Sequence, residues 1–158
     1  MEMPAPDAAV VGRRAAIHAR LAKALPADAL VTDPVETRAY DCDALTAYAC
    51  PPLAVCLPRT TEEVAAVMRI CHAEGVPVIP RGAGTGLAGG ALPTEDAVIL
   101  GVARMNRVLQ TDYENRVIHV ETGRTNLSVT GAVEADGFFY APDPSSQLAC
   151  AIAGNIAM

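Results

Sequence analysis

The chain has 158 residues and a mass of 16.4 kDa, about the size of one domain. Its composition, 51% hydrophobic and 19% charged, is globular and excludes a disordered chain. The 12 basic and 18 acidic residues give a net charge of −6, which argues against a nucleic-acid partner because such a partner requires a basic surface. No stretch approaches about 20 uncharged apolar residues and the N-terminus lacks a secretory pattern, so we expect neither a transmembrane segment nor export.

The cysteines predict neither a metal site nor a disulfide framework. Their number is odd, and no two are spaced C-x-x-C, which is the spacing of a zinc site or a redox pair. We therefore expect reduced and mostly buried thiols in a cytoplasmic protein. The five positions are Cys42, Cys50, Cys56, Cys71 and Cys150.

The first third of the chain predicts a helix and a buried strand. Apolar residues recur at helical spacing over residues 8–24, and Pro26 ends that helix. Residues 53–57 form a short apolar run bounded by prolines, which is typical of a buried strand. We expect residues 1–50 to be a lead-in segment and residues 51–158 to form the main domain.

The next segment predicts a parallel β–α–β unit. Thr60 followed by Glu63 is a capping box that begins a helix, and Gly75 supplies the C-terminal stop of that helix. Residues 76–79 then read as a second strand, which we expect to pair directly with the strand at 53–57.

The second half of the chain adds more strand than helix. Thr125 is positioned as an N-cap and Gly137 as a C-terminal stop of one short helix. The predicted elements are strands at 97–102, 117–121 and 138–140, and a helix at 126–136. The fold class is therefore α+β or α/β.

The segment at residues 82–90 is the one most clearly suited to chemistry, because its glycines leave the backbone exposed. Backbone N–H groups without intervening Cβ atoms bind anions, and phosphate or pyrophosphate is the natural ligand. Residues 84–89 match G-x-G-x-x-G, but the strand that follows at 97 leaves no room for the helix of a dinucleotide-binding fold. A tight connection without a ligand remains an alternative. Arg81 is expected either to steady phosphate or to hold the loop.

A second polar loop follows at residues 141–147, with Gly154 and Asn155 just beyond it. Taken alone, its Pro-Asp-Pro-Ser segment is also ordinary turn chemistry. Asp41 and Asp43 suggest a carboxylate pair, for which a solvated loop pair is the favoured interpretation.

Residues 76–93 and 141–155 together resemble the two flavin-binding loops of FAD-linked oxidases of the vanillyl-alcohol-oxidase type, which carry a PCMH-type FAD-binding domain. The resemblance extends back to residues 40–43 and Tyr48. Within that family it is to the branch that contains the FAD-linked subunit of glycolate oxidase and the D-lactate and D-2-hydroxyglutarate dehydrogenases. It implies an α+β fold of two subdomains around an extended FAD. The parallel β–α–β unit lies in the first subdomain, and the second is incomplete.

The resemblance also implies site residues and an activity. In the first loop, FAD would contact Pro80, Arg81, Gly82, Ala83, Gly84, Thr85, Gly86, Leu87 and Gly90; in the second, Pro142, Asp143, Ser145, Ser146, Gly154 and Asn155. The implied reaction oxidises a small 2-hydroxy acid, glycolate or D-lactate, to the 2-oxo acid by hydride transfer to FAD. Implied partners are iron–sulfur or other glycolate oxidase subunits, in the cytoplasm or peripherally at the inner face of the membrane.

Relatives continue through a cap domain that supplies the groups acting on the acid, so the chain is expected to be an N-terminal fragment with no catalytic base or metal site of its own. A non-catalytic nucleotide-binding module, or a degraded remnant, is the alternative.

Thr85 predicts that FAD is held without a covalent bond. Some relatives attach FAD through a histidine inside the glycine loop, and Thr85 occupies that place here. We expect all flavin to remain in the supernatant when FAD-loaded protein is denatured and precipitated. Yellow colour retained in the washed pellet would contradict the prediction.

Overall fold

The computed structural model describes residues 3–157, and within that range the elements are short. The helices are Ala8–Gly12 (α1), Arg14–Ala24 (α2), Pro34–Thr37 (α3), Thr61–Glu74 (α4), Asn126–Gly131 (α5) and Ile152–Ala157 (α6). The strands are Leu30–Val31 (β1), Ala54–Cys56 (β2), Val78–Arg81 (β3), Val98–Gly101 (β4), Val108–Asp112 (β5) and Val117–Val120 (β6). None of the helices described is long and apolar enough to cross a bilayer.

Four strands form the main sheet in the order β1-β2-β4-β3. β4 pairs in parallel with β2 on one side and with β3 on the other, and its Ile99 lies opposite Val55 and Ile79. β1 adds an antiparallel edge beside β2. Every residue of β4 is buried, as expected for a strand at the centre of a parallel sheet.

The predicted direct pairing of residues 53–57 with residues 76–79 is wrong. Both segments contribute strands, joined by α4 as expected, but β4 lies between them. β4 is fully buried, whereas β3 is partly exposed and contains Pro80, which cannot donate a ladder hydrogen bond. The more apolar strand therefore takes the centre, and the proline-containing strand takes the edge, where a missing donor is tolerated.

Helices α2 and α4 cover one face of this sheet. Ile17 and Leu21 of α2 and Val67 and Cys71 of α4 are fully buried, and they belong to the same apolar cluster as Val98. The side chains of Arg13 and Arg20 both pair with Glu74, which ties the two helices together at the surface. The lead-in segment therefore shares its core with the sheet.

Helix α4 begins after Thr60 and ends before Gly75, as its capping residues predict. The Thr60 hydroxyl accepts a hydrogen bond from the Glu63 N–H at 3.2 Å, and the Glu63 carboxylate accepts one from the Arg59 N–H at 2.7 Å. Gly75 ends the helix in the left-handed region, at φ +67°. The helix predicted over 8–24 is instead broken at Arg13, next to Gly12, because glycine weakens a helix interior.

The expectation of free and mostly buried thiols is confirmed. The structure shows all five cysteines free, with Cys56, Cys71 and Cys150 buried. Burial raises the pKa of Cys56 to about 12 and that of Cys71 to about 11, so both remain protonated core thiols.

The second sheet is the β5–β6 hairpin, of which only β6 is predicted. The strand predicted at 138–140 is wrong: these residues lie in irregular backbone, where Phe138 packs on the Tyr113 ring and the Tyr140 N–H donates to the Thr130 hydroxyl at 3.0 Å. The helix predicted over 126–136 ends at Gly131, and a 3-10 turn follows at 134–136. Thr125 is at the N-cap position, but its side chain makes no cap bond.

A buried carboxylate fixes the base of the hairpin. Glu121 is 8% exposed, and its two oxygens accept hydrogen bonds from the Arg107 backbone N–H at 2.8 Å and from the Arg107 guanidinium at 2.7 and 3.0 Å. Gly123 follows, and a Cβ there would lie 1.9 Å from the carbonyl oxygen of Val102. The chain passes too close to the end of β4 at this point for any side chain.

The Arg107–Glu121 pair predicts a loss of stability in acid. Hydrogen bonds from Arg107 hold the pKa of Glu121 below its ordinary value of 4.5. The contribution of this pair to the free energy of unfolding is therefore complete above pH 4.5, and it is lost as the pH falls through the lower pKa that Glu121 has in the folded state. In urea unfolding, we expect Glu121→Gln to be less stable than the native chain at about pH 7, with the difference shrinking by about pH 3.

Glu114→Gln, at an exposed carboxylate in the hairpin turn, is the control and should show no such convergence. A constant difference between Glu121→Gln and the native chain across this pH range would contradict the prediction.

Candidate functional site

The glycine loop runs from the end of β3 to the start of β4 without any helix. A dinucleotide-binding fold of the G-x-G-x-x-G type, which requires a helix directly after the glycines, is therefore excluded, as the sequence predicts. Within residues 3–157, no backbone N–H from Gly82 to Gly90 donates a hydrogen bond to a protein acceptor. None of these residues is buried, so their N–H groups are open to solvent or to a ligand. The run supplies the donors of an anion site.

Arg81 links this loop to residues 40–44. Its guanidinium donates to the carbonyl oxygen of Cys42 at 2.6 Å and lies 5.6 Å from the centre of the Tyr40 ring. The Ala44 N–H donates to the carbonyl oxygen of Gly84 at 2.9 Å. These contacts support the predicted role of Arg81 in holding the loop, and its other predicted role, steadying phosphate, stays a prediction. Residues 40–44 are the segment to which the loop is attached, and we call them the brace.

Gly84 is the position in the loop that most requires glycine. Its φ is +73°, a conformation that other residues adopt only with strain. A Cβ there would also lie 2.3 Å from the Arg81 guanidinium, which is engaged with the brace. Gly89 also has a positive φ, +77°, whereas Gly86 has open space around it and no positive φ, so the requirement for glycine differs from position to position in the loop.

The solvated Asp41–Asp43 pair expected from the sequence is wrong for Asp43. Asp43 is 4% exposed, and its Oδ1 accepts a hydrogen bond from the Leu45 N–H at 2.8 Å. Its Oδ2 is buried without a partner among the described residues. Asp43 shapes the end of the brace beside Ala44, which contacts the glycine loop. The structural role of Asp43 depends on this turn, so it could not be predicted from the residue type.

The second loop is attached to the start of α5. Asn126 is 1% exposed; its side-chain amide donates to the carbonyl oxygen of Pro142 at 3.2 Å, and its backbone N–H donates to that of Cys150 at 3.0 Å. Thr125 forms an antiparallel bridge with Ala151. Sequence reasoning missed Asn126, because an asparagine after a helix cap resembles an ordinary first-turn residue. Helix α6 was also not predicted.

The predicted residues of the second loop differ in burial. Pro142, Asp143 and Ser145 are exposed, Ser146 and Asn155 are half-buried, and Gly154 is exposed on α6. The Nδ2 atom of Asn155 is buried and has no hydrogen-bond partner in the part of the chain that the structure describes. The role of Asn155 as a cofactor contact stays a prediction.

The two loops meet at a cavity of about 330 Å³. Gly82 and Ala83 of the glycine loop line one side of it, and Ala149 and Ala151 from the second loop line another. A Cβ at Gly82 would lie 3.0 Å from the Cβ of Ala151, so this glycine allows the close approach. The other predicted residues do not line this cavity. Its remaining walls are Ala103, Asn106, Gly123, Arg124, Thr125 and Ser128.

A larger cavity of about 460 Å³ lies between the hairpin and residues 137–140. It contains none of the predicted site residues, and its walls include Val117, Phe138 and Phe139. We take the smaller cavity as the candidate site, because Gly82 and Ala83 of the glycine loop meet Ala149 and Ala151 of the second flavin-loop segment there. Among the described residues, no cluster of three or more potential metal ligands occurs.

The smaller cavity suits the anionic part of a flavin nucleotide. The unpaired N–H groups of the glycine loop suit a pyrophosphate, and the absence of a side chain at Gly82 keeps the entrance between the loops open. The site therefore combines exposed backbone with small side chains, as an extended nucleotide requires.

The family model described as FAD binding domain matches residues 52–158. The chain belongs to this family. The expected fold class, an α+β FAD-binding domain of PCMH type, and FAD as the cofactor of the domain are thereby confirmed.

The FAD-binding domain is similar to larger proteins. It is 49% identical over 118 residues to the glycolate oxidase subunit GlcD of Escherichia coli (strain K12), covering 75% of this chain and 24% of that protein. It is 36% identical over 137 residues to the D-2-hydroxyglutarate dehydrogenase of Xanthomonas citri pv. viticola, covering 87% of this chain and 29% of that protein. The chain thus spans about a quarter of the length of these curated relatives.

One solved structure, an alkyldihydroxyacetonephosphate synthase, superposes with a TM-score of 0.83 at 20% identity, over 100% of this chain and 30% of that one. At this identity the likeness supports the fold alone.

The geometry of Gly84 predicts that Gly84→Val removes FAD binding while the main sheet stays folded. Valine would adopt a strained φ and displace Arg81 from the brace, so the loop would lose its shape. FAD titration followed by flavin fluorescence, with far-UV circular dichroism as the measure of folding, tests this.

The matched control is Gly12→Val, which introduces the same side chain into open space at the end of α1 and should bind FAD normally. Normal FAD affinity in the folded Gly84→Val protein would refute the assignment of this loop.

Proposed function

We propose that this chain is the FAD-binding part of a flavoprotein that oxidises a 2-hydroxy acid, glycolate or D-lactate, to the 2-oxo acid by hydride transfer to FAD. Membership of the FAD-binding family supports the cofactor. The relatives named as a glycolate oxidase subunit and a D-2-hydroxyglutarate dehydrogenase support 2-hydroxy acids as the class of substrate.

The observation that carries the proposal is the run of unpaired backbone N–H groups from Gly82 to Gly90 beside the cavity between the two loops. These donors, held by Arg81 and the brace, bind the pyrophosphate of FAD. In this proposal the cofactor contacts Pro80, Arg81, Gly82, Ala83, Gly84, Thr85, Gly86, Leu87, Gly90, Pro142, Asp143, Ser145, Ser146, Gly154 and Asn155.

This chain binds and orients the cofactor and does not act on the acid. Bound FAD supplies a hydride acceptor. The small side chains of Ala149 and Ala151 and the glycine at 82 give a wall that the nucleotide can approach closely. None of the described residues lining the cavity is a histidine or a carboxylic acid, so we assign no catalytic base to this chain.

The proposal includes partners that this chain alone does not supply. Electrons leave the flavin for iron–sulfur or other subunits of a glycolate oxidase, located in the cytoplasm or peripherally at the inner membrane face. We expect the 158-residue chain alone to be inactive towards 2-hydroxy acids, with residues 51–158 forming its FAD-binding domain.

A non-catalytic nucleotide-binding module is the second candidate. It is favoured by one observation, the lack of any acid or base among the described residues that line the cavity. In that case FAD or another nucleotide is bound but never reduced.

Titration of the chain with FAD, followed by a replacement experiment, separates the two candidates. The segment of Escherichia coli GlcD that matches this chain is replaced by the sequence of this chain, and loss of flavin absorbance is followed anaerobically after addition of glycolate. We expect the replaced protein to bind FAD and to be bleached by glycolate.

Acetate, which has the carboxylate but no C2 hydroxyl, is the control ligand and should cause no bleaching. A folded replacement protein that binds FAD without being reduced would favour the non-catalytic module. Failure of both the chain and the replacement protein to bind FAD would overturn both candidates.

A further inference from the structure

The cavity between the two loops has one charged wall residue in the described part of the chain, and it is a cation. Arg124 lines the cavity together with small or neutral residues, and none of the aspartates or glutamates within residues 3–157 lines it. The chain as a whole carries a net charge of −6, so its overall field repels an anion. Any electrostatic attraction for a negative ligand must therefore come from a local group such as Arg124.

Arg124 is held in position without being neutralised. Its Nη1 donates to the carbonyl oxygen of Asn106 at 3.1 Å, and its Nη2 donates to that of Ser128 at 2.8 Å. Neither partner is charged, and Nε is buried without a partner over the described range. Of its five N–H donors, two are used and that of Nε is buried, which leaves the second N–H of Nη1 and of Nη2 for a ligand in a fixed geometry.

Two nearby arginines are neutralised by carboxylates, because Arg104 pairs with Asp28 and Arg107 with Glu121. Arg81, like Arg124, is bonded to a neutral carbonyl, but it does not line the cavity. Arg124, in contrast, lies where the loops meet, because its carbonyl oxygen accepts the Ile152 N–H at 2.8 Å. It is thus the cation best placed to meet a ligand held by the glycine loop.

We infer that Arg124 binds the phosphates of the bound nucleotide and supplies the positive charge of the site. This inference rests on the proposed function, since it assumes that the ligand is FAD. The N–H groups of the glycine loop and Arg124 act on the same anionic group from two walls of one cavity. Arg81, despite its place in the glycine motif, contributes shape and not charge.

The test compares Arg124→Gln and Arg124→Lys with the native chain by FAD titration. Charge-assisted hydrogen bonds are the strong ones, so we expect Arg124→Gln to weaken FAD binding by about tenfold to a hundredfold. Arg124→Lys should recover part of that loss. Titrations at about 0.01 M and about 0.1 M ionic strength, where the Debye length falls from about 30 Å to about 10 Å, should show a smaller salt effect in Arg124→Gln than in the native chain.

Three controls make the result specific. Arg104→Gln removes a neighbouring arginine paired with Asp28 and should leave FAD affinity unchanged. Competition by ADP, which carries the phosphates, should weaken in Arg124→Gln, whereas competition by riboflavin, which has none, should not. Arg81→Gln should weaken FAD binding with the native salt dependence, because it acts through loop shape.

The outcomes separate the inference from the proposed function. If the native chain and the replacement protein both fail to bind FAD, the proposed function fails. If the native chain binds FAD and folded Arg124→Gln binds it equally well, the inference is wrong. Should Arg124→Gln not fold by circular dichroism, Arg124→Lys decides: a variant that keeps the charge but shows no native salt dependence would overturn the inference.

Discussion

A loop that keeps its N–H groups free for a ligand cannot be stabilised by its own backbone hydrogen bonds. In this chain the glycine loop is held from outside, by the Arg81 guanidinium on the Cys42 carbonyl and by the Ala44 N–H on the Gly84 carbonyl. Both contacts leave the loop's own donors unpaired. The conformation of Gly84 and the burial of Asp43 follow from this arrangement, since each is needed for the brace to reach the loop.

The second loop is supported in the same way. Asn126, which is buried, binds the carbonyls of Pro142 and Cys150, and Thr125 pairs with Ala151. Hydrogen bonds to a neighbouring segment thus fix each loop, and no acidic side chain among the described residues lines the cavity between them. A site arranged in this way is formed before its ligand arrives, which lowers the entropy cost of binding.

The sequence predicts what is decided locally. Thr60 and Gly75 delimit α4 because their capping interactions lie within one turn, and the density of glycine marks the loop because glycine acts through its own backbone. Strand order depends on which strand is best buried, a competition between β3 and β4 that no local window contains. Asn126 and Asp43 were not predicted as structural residues, since the partner of the Asn126 side chain lies sixteen positions away and that of Asp43 depends on the turn at the brace.

The acidity of the chain is consistent with an anionic ligand only because of where the acids lie. Glu74 binds two arginines at the α2–α4 surface, Asp28 binds Arg59 and Arg104, and Glu121 closes the hairpin. These pairs use the carboxylates to join elements and keep them off the described walls of the cavity. Because Coulomb energy falls with distance and is screened by salt, distant carboxylates oppose the ligand far less than nearby N–H dipoles attract it. An acidic protein can thus form an anion site through backbone and placement, without a basic surface.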